Sequence, residues 1–294
     1  MEEIKAKTLL SPYHPNSSWF GHHYNLNIYK GCSHGCIYCD SRSDCYRIEN
    51  FDEVKAKENA LLILEKELKS KRKKGVIGSG AMSDPYNPLE RVHQLTRRSL
   101  LLIEQYRFGV SLTTKSSLIE RDLDILIKIR NHSPVLVLMT ITTADDQLAS
   151  RLEPLASKTS QRFETLERFA QAGIPTGILM MPILPFINDT EENVLNIILK
   201  AKQHGVRYIY PAFGVTLRQN QRDYYYQQLD KIFPGVKQKY VQTFNQRYVC
   251  ESLNARQLSK IFNQTCSELN IITTMSQIIA DYQAGFENEQ LKLF

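Results

Sequence analysis

The sequence of 294 residues has no long hydrophobic segment. No run approaches the roughly 20 consecutive apolar residues that a helix needs to cross a bilayer. Residues 1–5 are mostly charged and do not resemble the apolar core of a secretory signal peptide. We therefore expect a cytoplasmic protein that does not associate with a membrane.

The sequence also lacks internal repeats, low-complexity tracts and a strong excess of one charge. The lack of internal repeats argues against solenoid architectures. The net charge of +6, from 37 basic and 31 acidic residues, permits an anionic partner without requiring one. Much of the basic excess lies in residues 66–74 at the end of a predicted helix, where we favour a solvated helix end over a nucleic-acid site.

Only six cysteines are present, but three of them lie within eight positions. Cys32, Cys36 and Cys39 are spaced C-x3-C-x2-C in a glycine-containing loop after a predicted strand. A [4Fe-4S] cluster is normally held by four cysteine thiolates. Three thiols in one loop therefore predict such a cluster with one iron open to a small molecule. This usage fits a metal site in a reducing compartment better than a set of disulfides.

The open iron would bind the amino and carboxylate groups of S-adenosylmethionine (SAM). One electron from the reduced cluster would then break a carbon–sulfur bond and release a 5′-deoxyadenosyl radical, and SAM with iron–sulfur centres is known to carry radical chemistry in proteins. Two alternatives are a Cys3His zinc site that includes His34 and three simply buried thiols. Structural zinc usually needs a second pair of ligands elsewhere in the chain, and no such pair is visible.

Apolar strand-like runs alternate with amphipathic helical stretches from residue 24 to residue 213. The predicted strands are residues 24–29, 76–80, 110–114, 135–142, 176–184 and 207–213, and the predicted helices between them are residues 54–74, 88–106, 121–130, 161–172 and 190–204. This alternation indicates an α/β protein with parallel strands. Six units are too few for a closed eight-stranded barrel, so we predict a partial (β/α)6 barrel.

Three regions follow from this pattern. Residues 1–23 are expected to form an irregular arm that packs through aromatic side chains. Residues 24–215 form the predicted barrel core. Residues 216–294 are predicted to be a helical extension that covers the open side or mouth of the barrel, with helices over residues 219–232, 236–246, 255–269 and 276–283.

Polar residues follow the predicted strands at the edge where active sites of parallel β/α proteins lie. Lys115 follows the third strand and could pair with the SAM carboxylate as a point charge. Ser83 follows the second strand and could donate a hydrogen bond to the same group. Thr140 lies near the end of the fourth strand.

The chain resembles the radical SAM superfamily, and within it the spore photoproduct lyase-like branch. The resemblance rests on the cysteine motif and on three further stretches, which are residues 80–86, Thr114-Lys115-Ser116 and Glu153-Pro154. The likeness is greatest to the B member of the radical SAM mobile pair proteins, and it continues through Gly214–Arg218 and Tyr248-Val249-Cys250. It implies the partial barrel fold, a [4Fe-4S] cluster, SAM and a flavodoxin- or ferredoxin-like electron donor. A companion radical SAM protein and a nucleic acid or peptide substrate are further candidate partners.

The resemblance also assigns individual residues. Cys32, Cys36 and Cys39 match the cluster ligands. Tyr38 matches the residue beside the adenine, and Thr140 falls where the SAM ribose is contacted. Ser83 and Lys115 match the contacts to the methionyl carboxylate.

Two departures from spore photoproduct lyase bear on the reaction. That enzyme has a cysteine two residues before its Ser-Asp pair, where this chain has Ala81, and a tyrosine after the third cluster cysteine, where this chain has Asp40. Both parts of its hydrogen-return path are therefore missing. Repair of the spore thymine lesion is disfavoured.

The remaining cysteines and one aromatic segment each allow two interpretations. Cys45, Cys250 and Cys266 could form a second cluster or supply a radical-quenching thiol, but three separate buried thiols are the simpler interpretation. The aromatic and basic run from Gly214 to Tyr226 could stack on single-stranded nucleic acid, although an apolar helix stripe explains Tyr225 equally well. A catalytically inactive radical SAM scaffold is the remaining alternative to an enzyme.

Overall fold

The computed structural model describes residues 2–13 and 19–286, and within them it contains twelve strands. The strands in chain order are β1 (Glu3–Ile4), β2 (Leu10–Pro12), β3 (Tyr24–Leu26), β4 (Tyr29–Lys30), β5 (Lys55–Lys57), β6 (Val76–Ser79), β7 (Gly109–Thr114), β8 (Val135–Thr140), β9 (Thr176–Met180), β10 (Tyr208–Pro211), β11 (Gly214–Thr216) and β12 (Val249–Glu251).

Eleven α-helices occur in the same residues. They are α1 (Ala60–Ser70), α2 (Glu90–His93), α3 (Leu95–Gln105), α4 (Leu123–Arg130), α5 (Asp146–Leu152), α6 (Thr159–Gln171), α7 (Glu191–Gln203), α8 (Gln221–Ile232), α9 (Val236–Phe244), α10 (Ala255–Glu268) and α11 (Met275–Gln283). None of these helices is both long enough and apolar enough to span a membrane.

The main sheet has seven strands in the order β10-β9-β8-β7-β6-β3-β2. Every neighbouring pair from β3 to β10 is parallel, and β2 joins the edge beside β3 in the antiparallel direction. The predicted set of six parallel strands alternating with helices is therefore confirmed. Because these strands are parallel, their carboxyl ends lie along one edge of the sheet, which is where the predicted site residues stand.

Side chains on the two faces of the sheet enter different parts of the core. On the outer face, Ile77 and Val110 pack with Leu64 of α1. On the inner face, Leu136 packs with Phe20 from the N-terminal arm and Tyr282 from α11. Full burial of one such aliphatic side chain stabilises the fold by about 1.5–3 kcal/mol. Successive side chains of a strand point to opposite faces, so a shift of one residue would lose this burial for the whole strand.

The predicted helix over residues 54–74 is wrong in its first part, since the helix begins only at Ala60. Residues Lys55–Lys57 instead form β5, which pairs parallel with β1 and antiparallel with β4. These partners are distant in sequence, and tertiary pairing overrides local helix propensity. Asn59, with a left-handed φ of 53°, separates the strand from the helix.

The N-terminal arm is not wholly irregular, because β1 and β2 pair with β5 and β3. In the C-terminal region, β12 was missed, and it pairs with β11 through Val215 and Cys250. Residues 14–18 of the predicted arm and 287–294 of the predicted extension lie outside the described residues. The boundaries at residues 23/24 and 215/216 stay predictions.

Candidate functional site

The cysteine loop, residues 31–39, follows β4 and contains the three clustered thiols. Gly31 has a φ of +85°, and a Cβ built on it would lie 2.7 Å from the carbonyl oxygen of Phe51. The backbone N–H of Cys32 donates to the same oxygen at 2.9 Å. A side chain at position 31 would therefore both strain the backbone and push the loop away from its support.

The three thiols of the loop differ in exposure. Cys36 is buried, and Cys32 and Cys39 are partly exposed. Burial raises the pKa of Cys32 to about 12, with Asp84 and the Cys39 thiolate adding to the effect. Burial likewise raises the pKa of Cys36 and Cys39, although Lys115 opposes the shift at both. Binding of a metal group to these thiols would require their deprotonation and would release protons.

The geometry does not support the Cys3His zinc site. His34 Nδ1 lies 3.3 Å from the carbonyl oxygen of Leu155, and His34 Nε2 lies 3.1 Å from Asp84 Oδ2, so both ring nitrogens face other groups. Within residues 2–13 and 19–286, no three His, Cys, Asp or Glu side chains converge on a single metal ion. The thiolate ligands of an iron–sulfur cluster bind different iron atoms, so such a cluster does not require three thiols to converge on one ion.

Asp84 connects three parts of the site. Its carboxylate accepts hydrogen bonds from Thr114 Oγ1 at 2.7 Å and from the backbone N–H of Lys115 at 2.9 Å. Burial alone would raise its pKa, but His34, Thr114 and Lys115 together lower the pKa of Asp84 to about 2. The carboxylate thus joins the loop after β6, the end of β7 and the cysteine loop. Ser83, the residue before it, is buried at the same place.

Lys115 and Thr140 are neighbours at the carboxyl ends of β7 and β8. The register pairs Thr114 with Met139, so the next residues along, Lys115 and Thr140, stand side by side. Their side chains share the inner face with Leu138. The ammonium of Lys115 lies 5.9 Å from the centre of the Tyr38 ring. The structure therefore brings Lys115, Tyr38 and Thr140 to the same edge as the cysteine loop.

Lys115 stays charged although it is largely surrounded by protein. Burial by itself lowers its pKa, but Cys36, Glu153 and Cys39 outweigh that effect and raise it. Its ammonium makes no ion pair with any other residue in the described part of the chain. A cation in this setting suits an anionic group of a bound ligand.

A buried ion pair under the cysteine loop was not foreseen. Glu153 follows α5, and its carboxylate lies 2.5 Å from Arg162 Nη2 of α6, both side chains being at most 1% exposed. The Tyr38 hydroxyl donates to the other carboxylate oxygen of Glu153. Burial would raise the pKa of Glu153, but Arg162 and Lys115 hold it below its usual range. The motif Glu153-Pro154 drew attention to Glu153 in the sequence, but no sequence motif indicated Arg162 as its partner.

Arg162 extends this contact to two further segments. Its Nη1 donates to the carbonyl oxygen of Thr140 at 2.8 Å, and its Nε donates to that of Ser157 at 2.8 Å. The backbone N–H of Ser157 in turn donates to the carbonyl oxygen of Lys115 at 3.2 Å. One guanidinium therefore fixes the ends of β7 and β8 relative to Tyr38. We interpret Arg162 and Glu153 as positioning residues.

The C-terminal helices also reach the cysteine loop. Gln221, the first residue of α8, is buried and donates from Nε2 to the carbonyl oxygen of Tyr38 at 3.0 Å. Tyr225 of the same helix is buried, and its hydroxyl lies 3.1 Å from that of Tyr240, as expected for an apolar helix stripe. Tyr224 points elsewhere, towards Arg42.

The three remaining cysteines lie apart from one another. Cys45 is exposed, and its sulfur lies 3.1 Å from Arg218 Nη1. Cys250 is buried in the apolar cluster that includes Cys36, and Cys266 is buried in a separate cluster around α7 and α10. These three thiols do not form a second metal site within the described residues.

The structure is a partial-barrel α/β protein in which the loop with three thiols lies beside residues at the carboxyl ends of parallel strands. The family model of the Radical SAM superfamily matches residues 26–198, and the chain belongs to this superfamily. Members of the superfamily typically use a [4Fe-4S] cluster and SAM.

Two relatives have similar sequences. An uncharacterized protein of Methanocaldococcus jannaschii is 33% identical over 192 residues, which are 64% of this chain and 70% of the relative. An uncharacterized protein of Mycobacterium tuberculosis is 24% identical over 245 residues, which are 81% of this chain and 72% of the relative.

Solved structures confirm the fold. Spore photoproduct lyase complexed with dinucleoside spore photoproduct gives a TM-score of 0.64 at 14% identity, over 91% of this chain and 78% of that one. A variant of the same enzyme with bound AdoMet gives 0.67 at 14% identity, over 92% and 81%. A radical SAM methyltransferase from Kitasatospora setae gives 0.55 at 11% identity, over 86% and 52%. The narrower likeness to the mobile pair proteins stays a prediction.

Proposed function

We propose that the protein is a radical SAM enzyme whose cluster is held by Cys32, Cys36 and Cys39. The observation that carries this proposal is the cysteine loop, whose Tyr38 ring lies 5.9 Å from the ammonium of Lys115, a cation that makes no ion pair within the described residues. When bound, the [4Fe-4S] cluster supplies the electron that cleaves SAM to a 5′-deoxyadenosyl radical, which abstracts hydrogen from the substrate.

The residues of the chain bind and orient the reactants. Lys115 has a charge without an ion-pair partner in the described residues and would hold the carboxylate of SAM. Ser83 would donate a hydrogen bond to the same carboxylate, and Thr140 would contact the ribose. Tyr38, fixed by Glu153, would lie beside the adenine. These four assignments come from the resemblance, and their placement at one edge of the sheet supports them.

The proposal is tested by anaerobic reconstitution with iron and sulfide, reduction with dithionite, and measurement of 5′-deoxyadenosine formed from SAM. We expect the wild-type protein to form it and Cys32→Ala to form none. Cys45→Ala is the matched control, because Cys45 is exposed and separate from the other thiols, and it should retain the activity. A fully loaded wild-type protein that leaves SAM intact would overturn the assignment and favour an inactive scaffold.

The substrate is a separate part of the proposal. Ala81 is exposed on the loop after β6 and supplies no thiol, while Asp40 is held by Arg218 Nε at 3.2 Å and by the Tyr46 hydroxyl at 2.7 Å. Neither residue can return a hydrogen atom as a thiol or phenol would, which argues against repair of the spore thymine lesion. We keep a nucleic acid or nucleotide as the first candidate and a peptide as the second.

An electrophoretic mobility shift with DNA and RNA at physiological salt tests the first candidate. Binding that weakens as salt rises would support a nucleic acid, because phosphate contacts release counterions. No binding at low or physiological salt would turn the search to peptides. A flavodoxin- or ferredoxin-like donor would supply the electron, and this partner stays a prediction.

A further inference from the structure

Arg42 is a buried cation directly after the cysteine loop. It ends the short 3-10 turn Asp40–Arg42, and its backbone N–H donates to the carbonyl oxygen of Cys39 at 3.3 Å. The residue is only 9% exposed. Arginine is rarely buried to this degree unless its charge is paired and its N–H groups are used.

Three neighbouring side chains contact the guanidinium of Arg42. Nη1 and Nη2 donate to the two carboxylate oxygens of Asp52 at 2.9 and 2.5 Å. The ring of Tyr224 lies 3.9 Å from Arg42 Cζ, and that of Phe51 lies 4.9 Å from it. A forked ion pair between two aromatic rings fixes both the position and the plane of the group.

One donor of this rigid group has no partner. Nε of Arg42 is buried and makes no hydrogen bond within the described part of the chain. A buried donor without a partner is costly, and more so when the group is charged. An orphaned donor of this kind calls for a missing acceptor. Asp52 accepts one N–H from each terminal nitrogen, and Nε is the guanidinium nitrogen that makes no hydrogen bond in the described part of the chain.

The proposed cluster ligand Cys39 is three positions before Arg42 in the chain. Its carbonyl oxygen accepts the backbone N–H of Arg42 at 3.3 Å, so the cysteine and the start of the Arg42 side chain belong to one tight turn. Tyr224 is also close enough to Cys36 and Cys39 to be affected by their charges. The orphaned donor and the third thiol are thus parts of one local environment.

We propose that Arg42 is a positioning residue for the iron–sulfur cluster, with its Nε–H donating to the sulfur of the Cys39 corner and its charge favouring the reduced state. The inference rests on the proposed function, because it requires the cluster. Hydrogen bonds to cluster sulfurs and nearby charge are established means of setting a reduction potential. Reduction adds a negative charge, and a fixed cation stabilises the form that carries it.

The alternative is that Arg42 only joins the cysteine loop to α8. In that case its loss would lower stability and cluster content, but the cluster that remained would keep its potential. The midpoint potential therefore separates the two roles. It is measured by redox titration of the reconstituted protein with dyes of known potential, followed by electron paramagnetic resonance of the reduced cluster.

In Arg42→Gln we expect the reduction equilibrium to move at least tenfold towards the oxidised cluster, which is about 59 mV for a one-electron couple. Arg42→Lys keeps a charge but loses the planar fork, and should shift by a smaller amount. Arg47→Gln is the control, because Arg47 is exposed in the same segment. The cluster in this variant should have the midpoint potential of the wild type. An Arg42→Gln protein with the wild-type potential would overturn the inference.

If the Arg42 variants do not hold a cluster, Asp52→Asn tests whether the charge of Arg42 affects the midpoint potential. Asp52 is exposed over 58% of its side chain, and its replacement leaves Arg42 in place with less compensation. We expect the potential to rise, and an unchanged potential would refute the role of Arg42. Failure of the proposed function looks different, since the wild-type protein itself would then take up no redox-active cluster.

Discussion

Replacing Arg162 by methionine tests the buried ion pair under the cysteine loop. Removal of one partner of such a pair costs about 3–5 kcal/mol, because the other charge is left buried and unpaired. The carbonyl oxygens of Ser157 and Thr140 would also lose the donor that each now has at 2.8 Å. Each buried acceptor without a partner adds about 1–3 kcal/mol, less what water recovers. We therefore expect Arg162→Met to lower the free energy of unfolding by about 5 kcal/mol or more.

A double-mutant cycle separates the pair from the rest of the site. Glu153→Gln keeps the shape of the acid and removes its charge, and should cost about 3–5 kcal/mol because Arg162 is then unpaired. The variant with both changes should lose about 1–3 kcal/mol less than the sum of the two single variants, as contacting residues do. Additive losses would mean that the two charges do not act as a pair.

The measurement is urea unfolding of the metal-free protein under anaerobic, reducing conditions, followed by circular dichroism. Arg168→Met is the matched control, because Arg168 lies on the same helix, is 61% exposed and pairs with Glu120. Exposed pairs contribute at most about 1 kcal/mol. If Arg162→Met unfolds within about 1 kcal/mol of Arg168→Met, the reasoning about burial is refuted.

Two other predictions follow from single residues. Lys115→Met should weaken SAM binding to the reconstituted protein by roughly tenfold or more, since a hydrogen bond to a charged group contributes about 1.5–3 kcal/mol; equilibrium dialysis checks this, with the exposed Lys128→Met as control. Burial and His23 lower the pKa of His22 from 6.5 to about 4, so the unfolded chain binds the proton first and stability falls by up to about 3 kcal/mol as pH drops from 6.5 to 4. His22→Gln should flatten that part of the profile in urea unfolding, and an unchanged slope would contradict the assignment.

The six parallel strands could be predicted because their signal is local. Runs such as Val135–Thr140 are rich in β-branched and apolar residues and are buried on both faces. The cysteine loop was equally readable, since its three thiols lie within one short segment. In both cases neighbouring residues carry the whole pattern, and no distant contact is needed to recognise it.

The supporting residues could not be predicted, because their burial depends on partners that are distant in sequence. Arg162 lies beside Phe163 in an amphipathic helix, so the sequence alone predicts a solvated arginine. Only the structure shows that it is buried against Glu153. The short strand β5 was read as helix for the same reason, since only its pairing with β1 and β4 makes it extended.

Arg42 illustrates a further limit. Asp52 is ten positions away and Tyr224 comes from α8, so neither contact leaves a periodic signal in the sequence. The unpartnered Nε can be recognised only from the folded structure. Supporting contacts of this kind are set by tertiary structure, whereas the ligands they support are set by a local motif.

The three cations around the cysteine loop differ in how they are compensated. Arg162 is fully buried with Glu153, so this pair adds almost no net charge and acts by position. Arg42 pairs with Asp52, which is largely exposed to water and therefore screened. Lys115 makes no ion pair within residues 2–13 and 19–286.

This difference in compensation implies a division of roles. Under the two proposals, Lys115 would hold the carboxylate of a bound ligand, whereas Arg42 would donate from Nε to the sulfur of a cluster ligand. Arg42→Gln should therefore change the midpoint potential with little change in SAM affinity, and Lys115→Met should do the reverse. If both substitutions moved both quantities to the same extent, the two cations would act only through the summed field of the site, and the separate assignment of each would be wrong.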